Sequence, residues 1–367
     1  MNRILQYIIV LLFLPCIVVH AKILRVNNDG SIQGVYASFS AAVGAAVNND
    51  TIHIEGSVTP YTGNVTISKP LVIIGPGYLL SYSPETQFNK QSAKINFDIT
   101  FASGSEGSVL AGIEHYNMGA TTGFQINPTG HTGNKVIINT GNIKVINCKL
   151  YFLQLKNDVA ISNVSLQKCF FNPGVVYVNG GTALVSGLSI SNCFFRNDNG
   201  NWSVIHGADA NTSSGWRISN NTFYWAYRLT VYRSQISDNA FFTTNSTNVL
   251  NADETNTYTN NVMNYVIGGM QNNLNGNIVT NLGVEYWFSR SGNSELLDTY
   301  YTSATNGTDC PLRDSAEPAN DRKQKGMYGG GTPYVKAGMF RAPSVYDIQM
   351  DNEVGDQFDM TIRARVH

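Results

Sequence analysis

Residues 188–195 read LSISNCFF, and the same phrase returns down the chain. Upstream copies are IKVINCKL (143–150) and VSLQKCFF (164–171); downstream come WRISNNTF (216–223), SQISDNAF (234–241) and the weaker NTYTNNVM (256–263). Aligned, they spell aliphatic, polar, Asn-like, Cys or Asn, any residue, apolar. The column Cys148, Cys169, Cys193, Asn221, Asn239 and Asn261 advances by 21, 24, 28, 18 and 22 residues. A recurrent phrase with insertions of varying length marks a solenoid, in which each unit buries its apolar side against its neighbours.

Between the phrases lie apolar stretches too short for helices: Val136 to Ile138, Val175 to Val178, Leu184 to Leu188, and Val204 with Ile205. Gly, Asn or Asp bounds each, as turns bound strands. Three such strands per repeat make one coil of a parallel β-helix, with coils stacked at about 4.8 Å. In that geometry the Cys/Asn column lies along the axis. Stacked asparagines hydrogen-bond as a ladder that offsets the desolvation of buried amides. Stacked cysteines serve there as small buried apolar residues. Neighbouring thiols sit close enough for a disulfide, yet three in a row leave one over, so free thiols are the expectation. A line of residues lacks the convergence a metal site needs, and no metal is expected.

The mature chain opens with a strand at Ile23 to Val26 and an apolar-rich helix at Val35 to Val47. Strands at Thr51 to Ile54, Val65 to Ile67 and Leu71 to Gly75 follow, ending in LVIIGPG. With the repeat, this resembles the right-handed parallel β-helix proteins of the pectate-lyase-like superfamily, which place a helical cap over the open first coil. A cap is physically required, because a bare end exposes both apolar core and strand edge. Gly326 to Tyr334 (GMYGGGTPY, 326–334) with Ser344 to Ile348 resembles the closing segment of exported β-helix proteins of Bacteroidetes-type bacteria. Phe358, Met360, Ile362, Ala364 and Val366 alternate with polar residues, a strand pattern.

Residues 1–21 read as a signal peptide: Arg3, an apolar run from Tyr7 to Val19, then Val19-His20-Ala21. The run is shorter than the roughly 20 residues of a spanning helix. The expected plan is signal peptide 1–21, cap and first coils 22–80, β-helix body 81–295 and closing segment 296–367. Export to the periplasm, cell surface or medium follows from the leader. Without Arg3 the formal charge moves from −1 (24 basic, 25 acidic) to −2 (23 basic, 25 acidic), and only 13% of residues are charged. Such a surface carries no footprint for nucleic acid and no polybasic membrane patch. Its uncharged Asn, Ser and Thr suit sugar hydroxyls, and equally suit a long stacked sheet.

The densest candidate site runs from Trp202 to Arg233 and holds three of the four tryptophans. Arg228, Arg233 and His206 are the catalytic candidates. Trp202, Asp209, Trp216, Arg217, Trp225, Tyr227 and Tyr232 are the substrate-binding candidates. Exposed aromatic faces stack on sugar rings, and arginine recognises carboxylates in bidentate fashion. A second, weaker set is Asp253, Glu254, Glu285, Trp287 and Arg290, which a surface loop explains adequately. The resemblance implies a groove on one outer sheet and, for a lyase, a base together with a cation such as calcium or arginine. It carries no compact acidic or arginine signature of pectate lyases, galacturonases or pectin esterases. Two readings stay open: recognition of an extracellular, acidic polysaccharide with lyase-type cleavage, and a non-catalytic structural or adhesive envelope scaffold. Within the first, a lyase fits better than a glycoside hydrolase, since no paired carboxylates stand out.

Overall fold

The structure is a computed structural model. It describes residues 21–82, 89–115, 134–171, 174–196, 203–224, 228–242, 251–252, 255–264, 276–279, 288–290, 297–300, 325–334, 343–350 and 360–366. The coils form an all-β, parallel β-helix. Its sheet A has ten strands, from Ile23–Val26 to Thr257–Thr259, each paired in parallel with the strand one coil away. Sheet B has six, from Phe170–Phe171 to Ile278–Val279, and sheet C has eight, from Val65–Ile67 to Asn251–Ala252. A short sheet D of Ile161–Ser162, Val185–Ser186 and Ser213–Ser214 closes the coil between C and A. The three-strand coil expected from sequence therefore gains a fourth, two-residue side. Antiparallel pairing among the described residues is confined to two hairpins, Phe288–Arg290 with Leu297–Tyr300 and Pro343–Met350 with Met360–Val366.

Register in sheet A aligns Ile146, Gln167, Ser191, Ser219, Ser237 and Thr259 in one row, which is the phrase column moved by two residues. Six strands of sheet A, from Val109–Ala111 to Gln235–Ser237, are each pinned by two left-handed corners five residues apart. The pairs are Gly107/Gly112, Asn142/Asn147, Asn163/Lys168, Gly187/Asn192, Gly215/Asn220 and Arg233/Asp238, all with positive φ. Glycine and asparagine adopt this region at least cost, which explains the "Asn-like" position of the phrase. With both corners of sheet A fixed, the varying insertions fall elsewhere, in the path through sheets B, C and D.

Inside the corner, the Cys/Asn column points into the core. Asn221, Asn239 and Asn261 are fully buried. The side-chain amides of Asn221 and Asn239 donate to the Oδ1 of the asparagine below, at 3.1 and 3.0 Å. Asn277, outside the sequence alignment, accepts from Asn261 Nδ2 at 3.0 Å and extends the ladder. Higher up, Cys148, Cys169 and Cys193 are free and buried, each thiol directed at backbone carbonyls. Beside the ladder, Phe171, Phe195, Phe223 and Phe241 stack ring on ring at 4.7, 5.1 and 4.7 Å. Their separation is the strand spacing itself, so one aromatic per coil fills the core without strain.

Sheet B is buried on its outer face as well. Phe170, Phe194, Tyr224 and Phe242 point outward yet are buried, together with Met327, Tyr334 and Tyr78. The cover is the 325–334 segment, which crosses the coils as a strap. The Asn192 side chain donates to the carbonyls of Met327 and Gly329 at 3.0 and 2.7 Å, and Tyr78 donates to the Tyr334 hydroxyl at 2.8 Å.

The N-terminal cap differs in detail from expectation. The helix spans Phe39–Ala45 only, starting at Ser38, whose hydroxyl accepts from Ala41 N. Residues before it stay extended because Tyr36 bridges in parallel to Val26. Lys69 closes the other end, donating to the Val43 and Ala46 carbonyls at 3.1 and 2.7 Å. The LVIIGPG phrase is not part of the cap: Val72–Ile74 is an interior strand of sheet A. Among the described residues no helix is long and apolar enough to cross a membrane.

Candidate functional site

The sequence cluster is divided by the coil path. Trp216 is a correction: it is buried in the core, its indole N–H donating to the Val185 carbonyl at 3.0 Å. It shares the inward phase of Ile218, and so offers no face to a sugar. Asp209 is exposed but spends its carboxylate on its own turn, accepting from the amides of Asn211 and Thr212 at 2.7 and 2.9 Å. Those bonds hold its pKa below the usual carboxylate value. Arg217, Tyr232 and Arg233 gather at the corner where sheet D passes into sheet A. His206 lies on sheet C, and Arg228 begins the neighbouring strand Arg228–Val231. Arg228 and Arg233 thus belong to one coil, Arg228 in a strand of sheet C and Arg233 at the corner that leads into sheet A. Trp202, Trp225 and Tyr227 lie outside the described residues, as do Asp253, Glu254, Glu285 and Trp287 of the second set.

The side of the molecule that collects reactive groups is the outer face of sheet C. Strand register there lines up Gln154, Tyr177, His206 and Thr230 on successive coils. Alternation turns these residues away from the core, because Leu153, Val176, Ile205 and Leu229 are the core-facing neighbours; Gln154, His206 and Thr230 are half-buried there, and Tyr177 is only 2% exposed. In the sequence, Trp202 directly precedes the strand Ser203–His206, and Trp225 and Tyr227 precede Arg228–Val231.

Tyr177 was missed in the sequence. Its signal was a lone aromatic hydroxyl flanked by Val176 and Val178, both of which face inward. The ring packs with Phe152 and Val175, and its hydroxyl donates to Gln154 Oε1 at 3.3 Å. Burial, reinforced by the negative charge of Asp98, raises its pKa well above that of a free phenol. His206, half-buried one strand away, moves the other way: desolvation lowers its pKa. At neutral pH the pair is therefore a neutral imidazole, able to accept a proton, beside a phenol that keeps its own. Among the described residues no group of His, Cys, Asp or Glu converges as a metal site.

No family model and no curated protein matches the chain. One solved structure, of a mutant PL6 family alginate lyase, is similar to it at 11% identity and a TM-score of 0.20. The alignment covers 70% of this chain and 53% of that one, so the likeness spans about half the length of that lyase. At that score it adds nothing to the site argued from the residues.

Proposed function

We propose that this chain is an exported protein that binds an acidic polysaccharide over the outer face of sheet C and cleaves it by β-elimination. The observation that carries the reading is the in-register pair Tyr177 and His206 on neighbouring strands, with pKa values pushed apart by their surroundings. Opposed shifts of this kind assign the acid and the base of a site. His206 takes the proton beside the uronate carboxylate, the electron pair left behind forms the ring double bond, and the bond to the leaving glycosidic oxygen breaks. Tyr177 delivers its proton to that oxygen, and solvent returns the two groups to their starting states. Arg228, at the start of the next strand, is the proposed source of positive charge for the carboxylate, the role the transition state most needs filled.

The test is incubation of the protein with a panel of polyuronates, with and without calcium, following the ultraviolet absorbance of the unsaturated product beside binding. The reading expects cleavage of at least one polyuronate, lost in His206→Ala while binding persists. A second reading, a non-catalytic scaffold, draws on the inward Trp216 and on the split of Arg217 and Arg233 from His206. Failure to bind or cleave any member of the panel selects it.

A further inference from the structure

The corner at which sheet A begins carries an oddity that the sheet C site does not use. Asn142, Asn163, Gly187 and Gly215 fill this left-handed position on successive coils, and the next coil fills it with Arg233, at φ 46°. A left-handed arginine is strained where glycine is not. Its backbone N–H is held by Thr255 Oγ1 at 3.1 Å, which leaves the exposed guanidinium outside the corner's own bonding. One coil away, Arg217 is exposed on sheet A, flanked in register by Ser189 and Gln235. Among the described residues neither arginine has a carboxylate partner. Asp209, the nearest acid in sequence to Arg217, is committed to its own turn. Half-buried Tyr232, bridged to Ser214, adjoins the two.

Resting on the reading of the chain as a polyuronate-binding protein, we propose that this corner is a second anion subsite: Arg217 and Arg233 hold a uronate carboxylate of the bound polymer away from the point of cleavage. The two arginines stand on adjacent coils, with Arg233 two residues ahead of Gln235, the register partner of Arg217, and forked guanidiniums suit planar carboxylates. The strain at Arg233 is then the cost of placing its charge there.

The experiment measures binding of an oligogalacturonate and an oligoguluronate to His206→Ala protein, where the ligand survives, and compares added Arg217→Ala or Arg233→Gly. Each change is expected to weaken binding about tenfold or more, the size of a lost charge-assisted contact, and to flatten its salt dependence. Arg233→Gly is also expected to melt at or above the temperature of its parent, because glycine relieves the corner, so weakened binding cannot be ascribed to misfolding. Unchanged affinity in both variants, with the parent binding normally, overturns the subsite and leaves the sheet C reading intact. Failure of the parent to bind either oligomer removes both.

Discussion

At the residue scale, what holds this molecule together is the partner each buried polar group finds one coil away. Asn239 shows this most fully. Its Oδ1 accepts from the Asn221 amide, main chain and side chain, while its own Nδ2 donates to Asn261 and to the Ile218 carbonyl. Asn239→Ala leaves several buried groups unsatisfied and is expected to cost on the order of 3 kcal/mol, read by denaturant melts. Asn239→Cys should cost less, since the coils above use cysteine at this phase and Cys193 Sγ accepts from the Cys169 amide at 3.4 Å. Equal losses for the two would show that the column is set by volume and not by hydrogen bonding. His115 makes a contrasting case. Its Nε2 meets the Phe97 carbonyl at 3.0 Å, its Nδ1 is buried with no partner among the described residues, and desolvation pushes its pKa down to about 4. The unfolded chain, with an ordinary imidazole near 6.5, binds the proton first. The stability that follows from keeping His115 neutral is therefore full above pH 6.5 and lost progressively as pH falls towards 4, on the order of 3 kcal/mol in all. Carboxylates act in the same direction, so the measurement is the difference between wild type and His115→Leu. That difference should shrink or reverse in favour of the variant through this window; a constant gap would contradict the assignment.

At the scale of the element, the repeat was legible because the corners of sheet A are chemically narrow. A left-handed residue followed by an inward small residue admits few side chains, and so the phrase survives insertions around it. Sheet D was not legible: Ile161–Ser162, Val185–Ser186 and Ser213–Ser214 are two residues each and have no alternation to read. Trp216 was legible in principle, because it keeps step with Ile218 and with Leu188 one coil earlier, but aromatic density outweighed phase. The doubled aromatics Phe170-Phe171, Phe194-Phe195 and Phe241-Phe242 also carried a message, that sheet B is covered on both faces. What covers it lies some eighty residues or more downstream, beyond any local pattern. The strap that does so is held by hydrogen bonds with Asn192, Tyr78, Thr222 and Asp238 and by the burial of Met327 and Tyr334. Tyr334→Ala combined with Asn192→Ala is expected to leave far-ultraviolet circular dichroism near wild type while raising binding of a hydrophobic dye, as Phe170 and Phe194 become accessible. Loss of the β signal together with the strap would mean that the coils cannot stand without it.

At the scale of the whole molecule, the stacked coil turns residues far apart in sequence into one continuous face, and the register decides which residues share it. Tyr177 and His206 are neighbours because Val176 pairs with Ile205, a fact of the register that the intervening insertion hides from the sequence. The same register sends Arg217 and Arg233 to a different side, so one sequence cluster is divided between the proposed cleavage site and the proposed anchoring corner. The most direct test of this account is the pH dependence of polyuronate cleavage, followed by ultraviolet absorbance, for wild type and Tyr177→Phe. With a base whose pKa lies below that of an ordinary imidazole and an acid whose pKa lies above that of a free phenol, the wild-type rate should rise at acid pH, below 6.5, and stay level well into the alkaline range. Tyr177→Phe should lose at least about a hundredfold, as removal of a general acid does. Absence of unsaturated product at every pH, or a Tyr177→Phe protein as active as wild type, would contradict it.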